Sequence, residues 1–499
     1  MTGSSYATYT IGLLVGALVA RHLAPEEYGR YAYVVWLAGV LVMVGNNGLP
    51  TTGIRFVAEA LGLGAPGTAR VVRSWLYRRQ AISLVAIVSC FLIAFPVLRP
   101  AGWDQPAWIF VAVVVVSAIT KALYLLEISV AKGYGRFGVE ASTSVAVSLI
   151  NAALAFGLYL IDASLNAFLA LFACTSAAHL VIAATLFRRG HPLAPSLAMD
   201  VDFSARIRKH LLWTVVLTLV ASFGGTSVAI YLLNLLVGSA EVGFFVIAAS
   251  LSRGAIDLVA SGLTSVLMPM MGHAFGVGGK ERVGVIMCDS LRYLQVLGLL
   301  AAGLGGFWAE AVVVLIYGEA YAPVTNILRW MLFGAGMALG ESAFGALLST
   351  TDNQRLRATF AALYLSVSLV ASGLLIPSYG LTGAVVACVG TRLLVYGIGL
   401  AVVVKIMAIR LPWRELGNTV LAAGVSAGTA SMCLGANPGP WMGIGAGVLY
   451  AVVFLGSSRY LGVWQEKDLR MVVSLGDQYP QLLGWTRAYL NRWIDGLQR

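Results

Sequence analysis

LAPEEYG at residues 23–29 and VGSAEVG at residues 237–243 are the stretches that decide how this chain is built. Glu27 and Glu241 stand 214 residues apart, and so do Gly29 and Gly243. Further on, Gly62 pairs with Gly276 and Gly64 with Gly278 at the same offset. Chance rarely aligns four such pairs, so the chain contains an internal repeat. Six apolar runs separate the copies. That number is even, so both copies face the same way. Parallel repeats in membrane transporters are related by an axis along the membrane normal and leave a substrate path between their halves.

The apolar runs around these motifs are about twenty residues long, enough to cross a hydrocarbon core about 30 Å thick. The 499 residues are 59% hydrophobic and only 11% charged. A soluble chain carries about 25% charged residues, so these charges cannot cover a soluble surface. In lipid the backbone must satisfy itself, which leaves helices or closed barrels. The runs lack two-residue alternation and therefore read as helices. Spans are expected near 3–20, 31–52, 80–98, 107–127, 140–161, 166–187 and 211–236, then near 243–270, 286–317, 326–350, 358–376, 382–404, 417–435 and 440–457. The expected fold class is all-α. It is a polytopic membrane protein of about 14 transmembrane helices, with two parallel-repeat six-helix lobes and two C-terminal helices. The lobes are placed at 1–187 and 211–404, joined by a cytoplasmic linker at 188–210. The last two spans occupy 417–457, and 458–499 forms a cytoplasmic tail.

Charge placement orients this layout. One set of connectors holds Arg55, Arg70, Arg73, Arg78, Arg79, Lys132 and Arg136, and continues with Arg188, Arg206, Lys280, Arg355 and Lys405. The opposite set holds only Arg21, Arg30 and Arg99. This asymmetry is the positive-inside pattern, and it puts both termini in the cytoplasm. The net charge of +11 is spread over short connectors rather than one face of a domain. That distribution argues against nucleic acid as a partner and for contact with anionic membrane lipids. The first residues lack a basic stretch and a small-residue cleavage site, so no cleavable signal is expected. In the tail, Leu482, Trp485, Tyr489, Trp493 and Leu497 recur among Arg487, Arg492 and Arg499, the pattern of an amphipathic helix on the membrane surface. Residues 68–80 read as a similar surface helix.

Enzyme signatures are missing. Gly278-Gly279-Lys280 is followed by Glu281 and lacks the spacing of a phosphate-binding loop, so direct use of ATP is not expected. No nucleophile elbow, zinc-protease motif or Cys–His cluster occurs, and no cofactor or metal site is expected. Cys90, Cys174, Cys288, Cys388 and Cys433 all lie in apolar runs and read as buried thiols. The connectors on the charge-poor side are short, which leaves no room for the outer catalytic domain of a glycosyltransferase or polymerase.

The informative residues are charges inside spans, which are costly in lipid and normally face a wet interior. Lys121, Arg253 and Arg392 lie deep, with Arg329 nearer a span end. Asp257, Glu341 and Glu310 are the deep acids. Two readings stand side by side. The cations line a chamber for a phosphorylated headgroup, whose oxygens match the guanidinium fork. Alternatively, Arg253 pairs with Asp257, one turn away, and Arg329 or Arg392 pairs with Glu341. The same acids are candidates for moving a coupling ion. Arg292, near the end of its span, is expected to snorkel.

LAPEEYGRYAYV at 23–34, GNNGLPTTGIRFVAE at 45–59 and IPSYGLTGAVVA at 376–387 together resemble the polysaccharide and O-antigen flippases. These belong to the multidrug/oligosaccharidyl-lipid/polysaccharide (MOP) superfamily. The resemblance implies two six-helix lobes around a cationic cavity that opens alternately to each side. It implies a substrate of undecaprenyl-diphosphate-linked oligosaccharide, carried from the inner to the outer leaflet of a bacterial cytoplasmic membrane. The resemblance places the chain beside a polysaccharide polymerase and glycosyltransferases, in lipopolysaccharide or other surface-polysaccharide synthesis. The chain is expected to act as a monomer. A rival within the superfamily is a cation-coupled multidrug exporter. Its deep charges would be acidic, whereas these lean basic.

Overall fold

The computed structural model describes residues 2–188, 201–350, 354–407, 411–434, 440–465 and 468. Among the described residues the chain is helical, with no strand. It divides into two compact units. The first comprises Met1–Gly254, Val312–Met331 and Asp352–Gly397, and the second comprises Ala255–Ala311, Leu332–Thr351 and Ile398–Arg499.

The first unit begins with α1 (Thr2–Asn46), α2 (Leu49–Gly62), α3 (Pro66–Leu98), α4 (Ala107–Gly133), α5 (Gly138–Leu160) and α6 (Leu165–Arg188). It continues with α7 (Val201–Phe223), α8 (Ser227–Leu236) and α9 (Ser239–Ser252), and a π-turn over Arg253–Asp257 follows. The remaining helices are α10 (Leu258–Tyr317), α11 (Val324–Met337), α12 (Glu341–Thr350), α13 (Gln354–Met407), α14 (Trp413–Met432) and α15 (Pro440–Tyr460).

Nine helices among the described residues are long and apolar enough to cross a membrane. Three of them are far longer than one span needs: Tyr6–Asn46 has 41 residues, Val266–Tyr317 has 52 and Arg355–Lys405 has 51. Each turns within its length. In α1 the turn is at Ala24, with φ 58° and ψ 170°. Pro25 follows it, lacks an N–H and bars the preceding residue from the helical region. In α10 the turn is at Gly278–Gly279, and in α13 it is at Gly380 (φ 54°), where only glycine is unstrained. Contacts show that α1 folds back along α3. Arg30 reaches Asp104, beyond the end of α3, at 3.2 Å, while the Gly45 carbonyl accepts from Gln80 Nε2 at 3.1 Å and from Ser83 Oγ at 2.7 Å. With α7–α8 and the bent pair α11–α12 each read as one interrupted span, the described helices reproduce the polytopic all-α fold expected from the sequence. Large apolar side chains such as Ile82, Val85 and Ile93 on α3 are exposed, as they should be where the neighbour is a lipid chain.

Within the first unit the charge-poor connectors gather at one end. His22 Nε2 lies 2.7 Å from the Ala163 carbonyl, Asn166 Nδ2 donates to Gln105 at 3.0 Å, and Asn234 Nδ2 donates to the Arg99 carbonyl at 3.1 Å. The basic segments meet at the opposite end. There Arg206 pairs with Glu59 at 2.7 Å and Lys132 with Glu140 at 2.7 Å.

The second unit holds its helices close through small residues. A Cβ on Gly303 would lie 2.0 Å from the Tyr450 ring, and the Tyr450 hydroxyl donates to the Leu299 carbonyl at 2.9 Å. Asn418 Nδ2 on α14 donates to the Leu461 carbonyl, just past α15, at 2.6 Å.

Several sequence expectations change. The span placed at 31–52 ends at Asn46, and Asn47 and Gly48 form a left-handed turn before α2. Arg55 therefore sits on a helix, and so do Arg70, Arg73, Arg78 and Arg79, because α3 begins at Pro66. Residues 68–80 are thus the first turns of a span, not a separate surface helix. Arg292 does not snorkel. It is 2% exposed and pairs with Asp468 at 2.7 Å. Cys90 and Cys174 on their helices, and Cys433 just past α14, are exposed to the surroundings rather than buried among protein side chains. Residues 189–200 of the expected linker and 469–499 of the expected tail helix lie outside the described residues.

Candidate functional site

The two repeat motifs pack against each other. A Cβ on Gly29 would fall 1.7 Å from the Ser239 carbonyl oxygen. A Cβ on Gly243 would fall 3.1 Å from the Pro25 carbonyl and 3.2 Å from the Gly29 Cα. The 214-residue offset therefore marks two glycines that let α1 and α9 meet backbone to backbone. Around this contact the charge-poor end is closed by hydrogen bonds between the repeats. Ser239 Oγ donates to the Ala101 carbonyl at 2.6 Å, the Ala101 N–H donates to Asn234 Oδ1 at 2.8 Å, and Tyr321 donates to the Ala20 carbonyl at 2.7 Å. Arg30 is buried beside them, held by Glu26 at 2.6 Å and Asp104 at 3.2 Å.

Depth below this end can be counted along the helices. Lys121 is 14 residues beyond Ala107, Arg253 is 14 beyond Ser239 and Arg392 is 12 beyond Gly380. At 1.5 Å per residue these positions lie about 21, 21 and 18 Å from the charge-poor end. By this count the three cations stand at similar distances along their helices. Arg329, only five residues into α11, is about 8 Å deep and exposed, and it donates to Asn326 at 3.2 Å.

Their surroundings differ. Lys121 is half-buried with its Nζ 5.0 Å from the centre of the Tyr124 ring. That ring touches His179 at 4.9 Å, and the Tyr124 hydroxyl meets Ser144 Oγ at 3.1 Å. His179 Nδ1 faces the Thr175 carbonyl at 2.8 Å, so this nitrogen carries the proton and Nε2 is the acceptor. Arg253 is exposed at the start of the π-turn, and Arg392 is half-buried. Interruptions of this kind inside helices recur at functional sites. The deep acids all belong to the second unit: Glu341 is exposed at the first position of α12, and Glu310 is half-buried in α10. The side chain of Asp257 lies outside the described residues.

At the basic end of the first unit is a cavity of about 1020 Å³ between α3, α4 and α6. Arg70, Arg73, Arg78 and Arg188 line it together with Glu127 and Tyr77.

A family model described as polysaccharide biosynthesis protein matches residues 1–275, more than half of the chain. The chain belongs to the polysaccharide biosynthesis protein family. No curated protein matches its sequence. Among solved structures, the chain is similar to the lipid II flippase MurJ in an inward closed conformation. The TM-score is 0.72 at 12% identity over 92% of this chain and 97% of that one. It is also similar to an inward-facing multidrug resistance MATE family transporter of the MOP superfamily, with a TM-score of 0.67 at 15% identity over 81% and 94%. A MOP superfamily transporter from Pyrococcus furiosus gives 0.55 at 14% over 82% and 94%. At these identities the likeness establishes the fold alone.

Sequence reading of this polysaccharide biosynthesis protein singled out the deep cations but missed the cavity. Its arginines looked like topology signals in a connector. Their spacing held a usable signal, because Arg70, Arg73, Ser74, Tyr77 and Arg78 recur on one helical face. Among the described residues no group of three or more His, Cys, Asp or Glu is placed to hold a metal.

Proposed function

We propose that this polysaccharide biosynthesis protein moves an undecaprenyl-diphosphate-linked oligosaccharide from the inner to the outer leaflet of a bacterial cytoplasmic membrane by alternating access. The observation that carries the reading is the similar distance of Lys121, Arg253 and Arg392 along their helices. A bare diphosphate cannot enter hydrocarbon, and neither can an isolated guanidinium without a large cost. Three cations at similar distances along their helices are accounted for together if they line a wet chamber and replace water around the headgroup. Arg329, nearer the charge-poor end, is the residue this reading assigns to a departing headgroup. Family membership supports a role in surface polysaccharide synthesis, and a polymerase and glycosyltransferases are the partners this reading proposes. The two lobes would be residues 1–187 and 211–404, with both termini in the cytoplasm.

The closed repeat junction supports alternating access. At the charge-poor end the repeats meet through a glycine-on-glycine contact, a few hydrogen bonds and the packing of Tyr28 and Phe244 on Tyr321, all of which separation of the repeats would break. Asp257, Glu310 and Glu341 are the candidates for ion coupling. A multidrug exporter is the second reading, favoured by the similarity to the MATE fold. It requires an acidic rather than a basic chamber.

The test is Arg253→Ala and Arg392→Ala, singly, in a strain whose surface polysaccharide depends on this chain. Polysaccharide is expected to fall at least tenfold, with the protein still in the membrane, and purified wild-type protein is expected to bind polyprenyl-diphosphate sugar. Normal polysaccharide from both variants would remove the cationic chamber.

A further inference from the structure

Four arginines gather in the wall of the basic-end cavity. They come from two helices. Arg70, Arg73 and Arg78 lie on the first turns of α3, and Arg188 is the last residue of α6. Glu127 is the carboxylate in the lining. It is buried, 3% exposed, and pairs with Arg73 at 3.4 Å. Among the described residues, four guanidiniums and one carboxylate line this space, so positive groups predominate in its wall. Cation–ring contacts fix Arg73 further. Its guanidinium carbon lies 4.9 Å from the Phe187 ring centre and 5.5 Å from that of Tyr77. Arg73 is thus held at the back of the cavity by a carboxylate and two aromatic rings, while Arg78 and Arg188 are exposed at its rim. Phe187 is itself held in place, since its carbonyl accepts from Arg136 at 2.7 Å.

Position narrows the ligand. Arg70 is four residues past Pro66, where α3 starts, and Arg188 is where α6 stops, so the cavity opens at the level of a lipid headgroup. Its volume of about 1020 Å³ is far more than a single phosphate fills. Apolar walls around like charges keep the field high, which attracts multivalent anions. Planar guanidiniums bind phosphate oxygens two at a time.

We propose that this cavity is an anion site for a phosphate-bearing dianion, held by Arg70, Arg78 and Arg188 with Arg73 as its fixed floor. It opens at the basic end of the six-helix bundle α1–α6, and its inner wall at Leu123 lies two residues from Lys121 on α4. It does not depend on what the chain transports. Two sources share the chemistry: a phosphomonoester or diphosphate lipid headgroup in the basic-side leaflet, and a soluble diphosphate.

The experiment uses full-length, delipidated protein in neutral detergent and follows binding by native mass spectrometry. The probes are dioctanoyl phosphatidic acid, dioctanoyl phosphatidylcholine and inorganic diphosphate. Wild-type protein is expected to bind phosphatidic acid at least tenfold more tightly than phosphatidylcholine. R70Q/R78Q and, independently on the other helix, R188Q are each expected to weaken that binding at least fivefold. R79Q is the control, because Arg79 shares the segment but sits over Trp75, at 5.3 Å, and does not line the cavity. Displacement of phosphatidic acid by inorganic diphosphate identifies the phosphate alone as sufficient. Failure to displace it identifies a lipid headgroup. Undiminished binding by both R70Q/R78Q and R188Q, an equal loss in R79Q, or no preference over phosphatidylcholine would overturn the assignment.

Discussion

Gly29→Ala is predicted to open the charge-poor end of the first unit. The added methyl would sit 1.7 Å from the Ser239 carbonyl oxygen and 2.4 Å from its carbonyl carbon. A carbon next to an oxygen needs about 3.3 Å, so α1 and α9 must part by about 1.6 Å. Backbone cannot swing aside as a flexible side chain can. Overpacking of this kind costs about 1–3 kcal/mol. The same displacement pulls on the Ser239–Ala101 and Asn234–Arg99 hydrogen bonds, each worth about 1 kcal/mol. A penalty of about 2 kcal/mol confined to the closed state shifts an open–closed equilibrium about 30-fold. The assay is labelling of Val242→Cys by a membrane-impermeant thiol reagent, in a chain whose five native cysteines are replaced by serine. Val242 is fully buried beside the junction. Gly29→Ala should raise the labelling rate about tenfold or more. Gly39→Ala, on the same helix with nothing within 4 Å of its added methyl, should leave the rate unchanged and stabilise the helix by about 0.5–1 kcal/mol. Equal labelling with and without Gly29→Ala would refute the claim that this contact is the closure.

In the second unit, Asp468→Ala leaves the buried Arg292 guanidinium without its closest carboxylate. Loss of one partner of a buried pair costs about 3–5 kcal/mol, so the melting temperature in detergent should fall clearly. Arg292→Met together with Asp468→Leu should recover most of the loss, and a double variant no better than Asp468→Ala would argue against charge desolvation as the cause. Reporter fusions at each terminus should both read cytoplasm. An external C-terminus would overturn the span count and the orientation drawn from the arginines.

The fold class was legible because it rests on quantities a sequence carries directly. Apolar run length, low charge and the alternation of basic connectors follow from hydrocarbon thickness and from the cost of unpaired backbone. The repeat at offset 214 was legible too, and Gly29 and Gly243 turned out to be the residues in contact. Helix ends were not legible. Hydropathy marks only the apolar middle of a span, while the helix runs on through its charged first turns, which is why Arg55 and Arg70 to Arg79 looked like connector residues. Arg292 shows the same limit from the other side, because its partner lies 176 residues away and no local pattern announces it.

By itself, then, the sequence determined that the chain spans a membrane as helices and which connectors are basic. Those properties depend on composition and on order along a single helix. Only the tertiary structure decided that two glycines meet at one end and that arginines from α3 and α6 meet around Glu127. Those are relations between helices, set by which faces pack together, and helical periodicity fixes a face without fixing its neighbour.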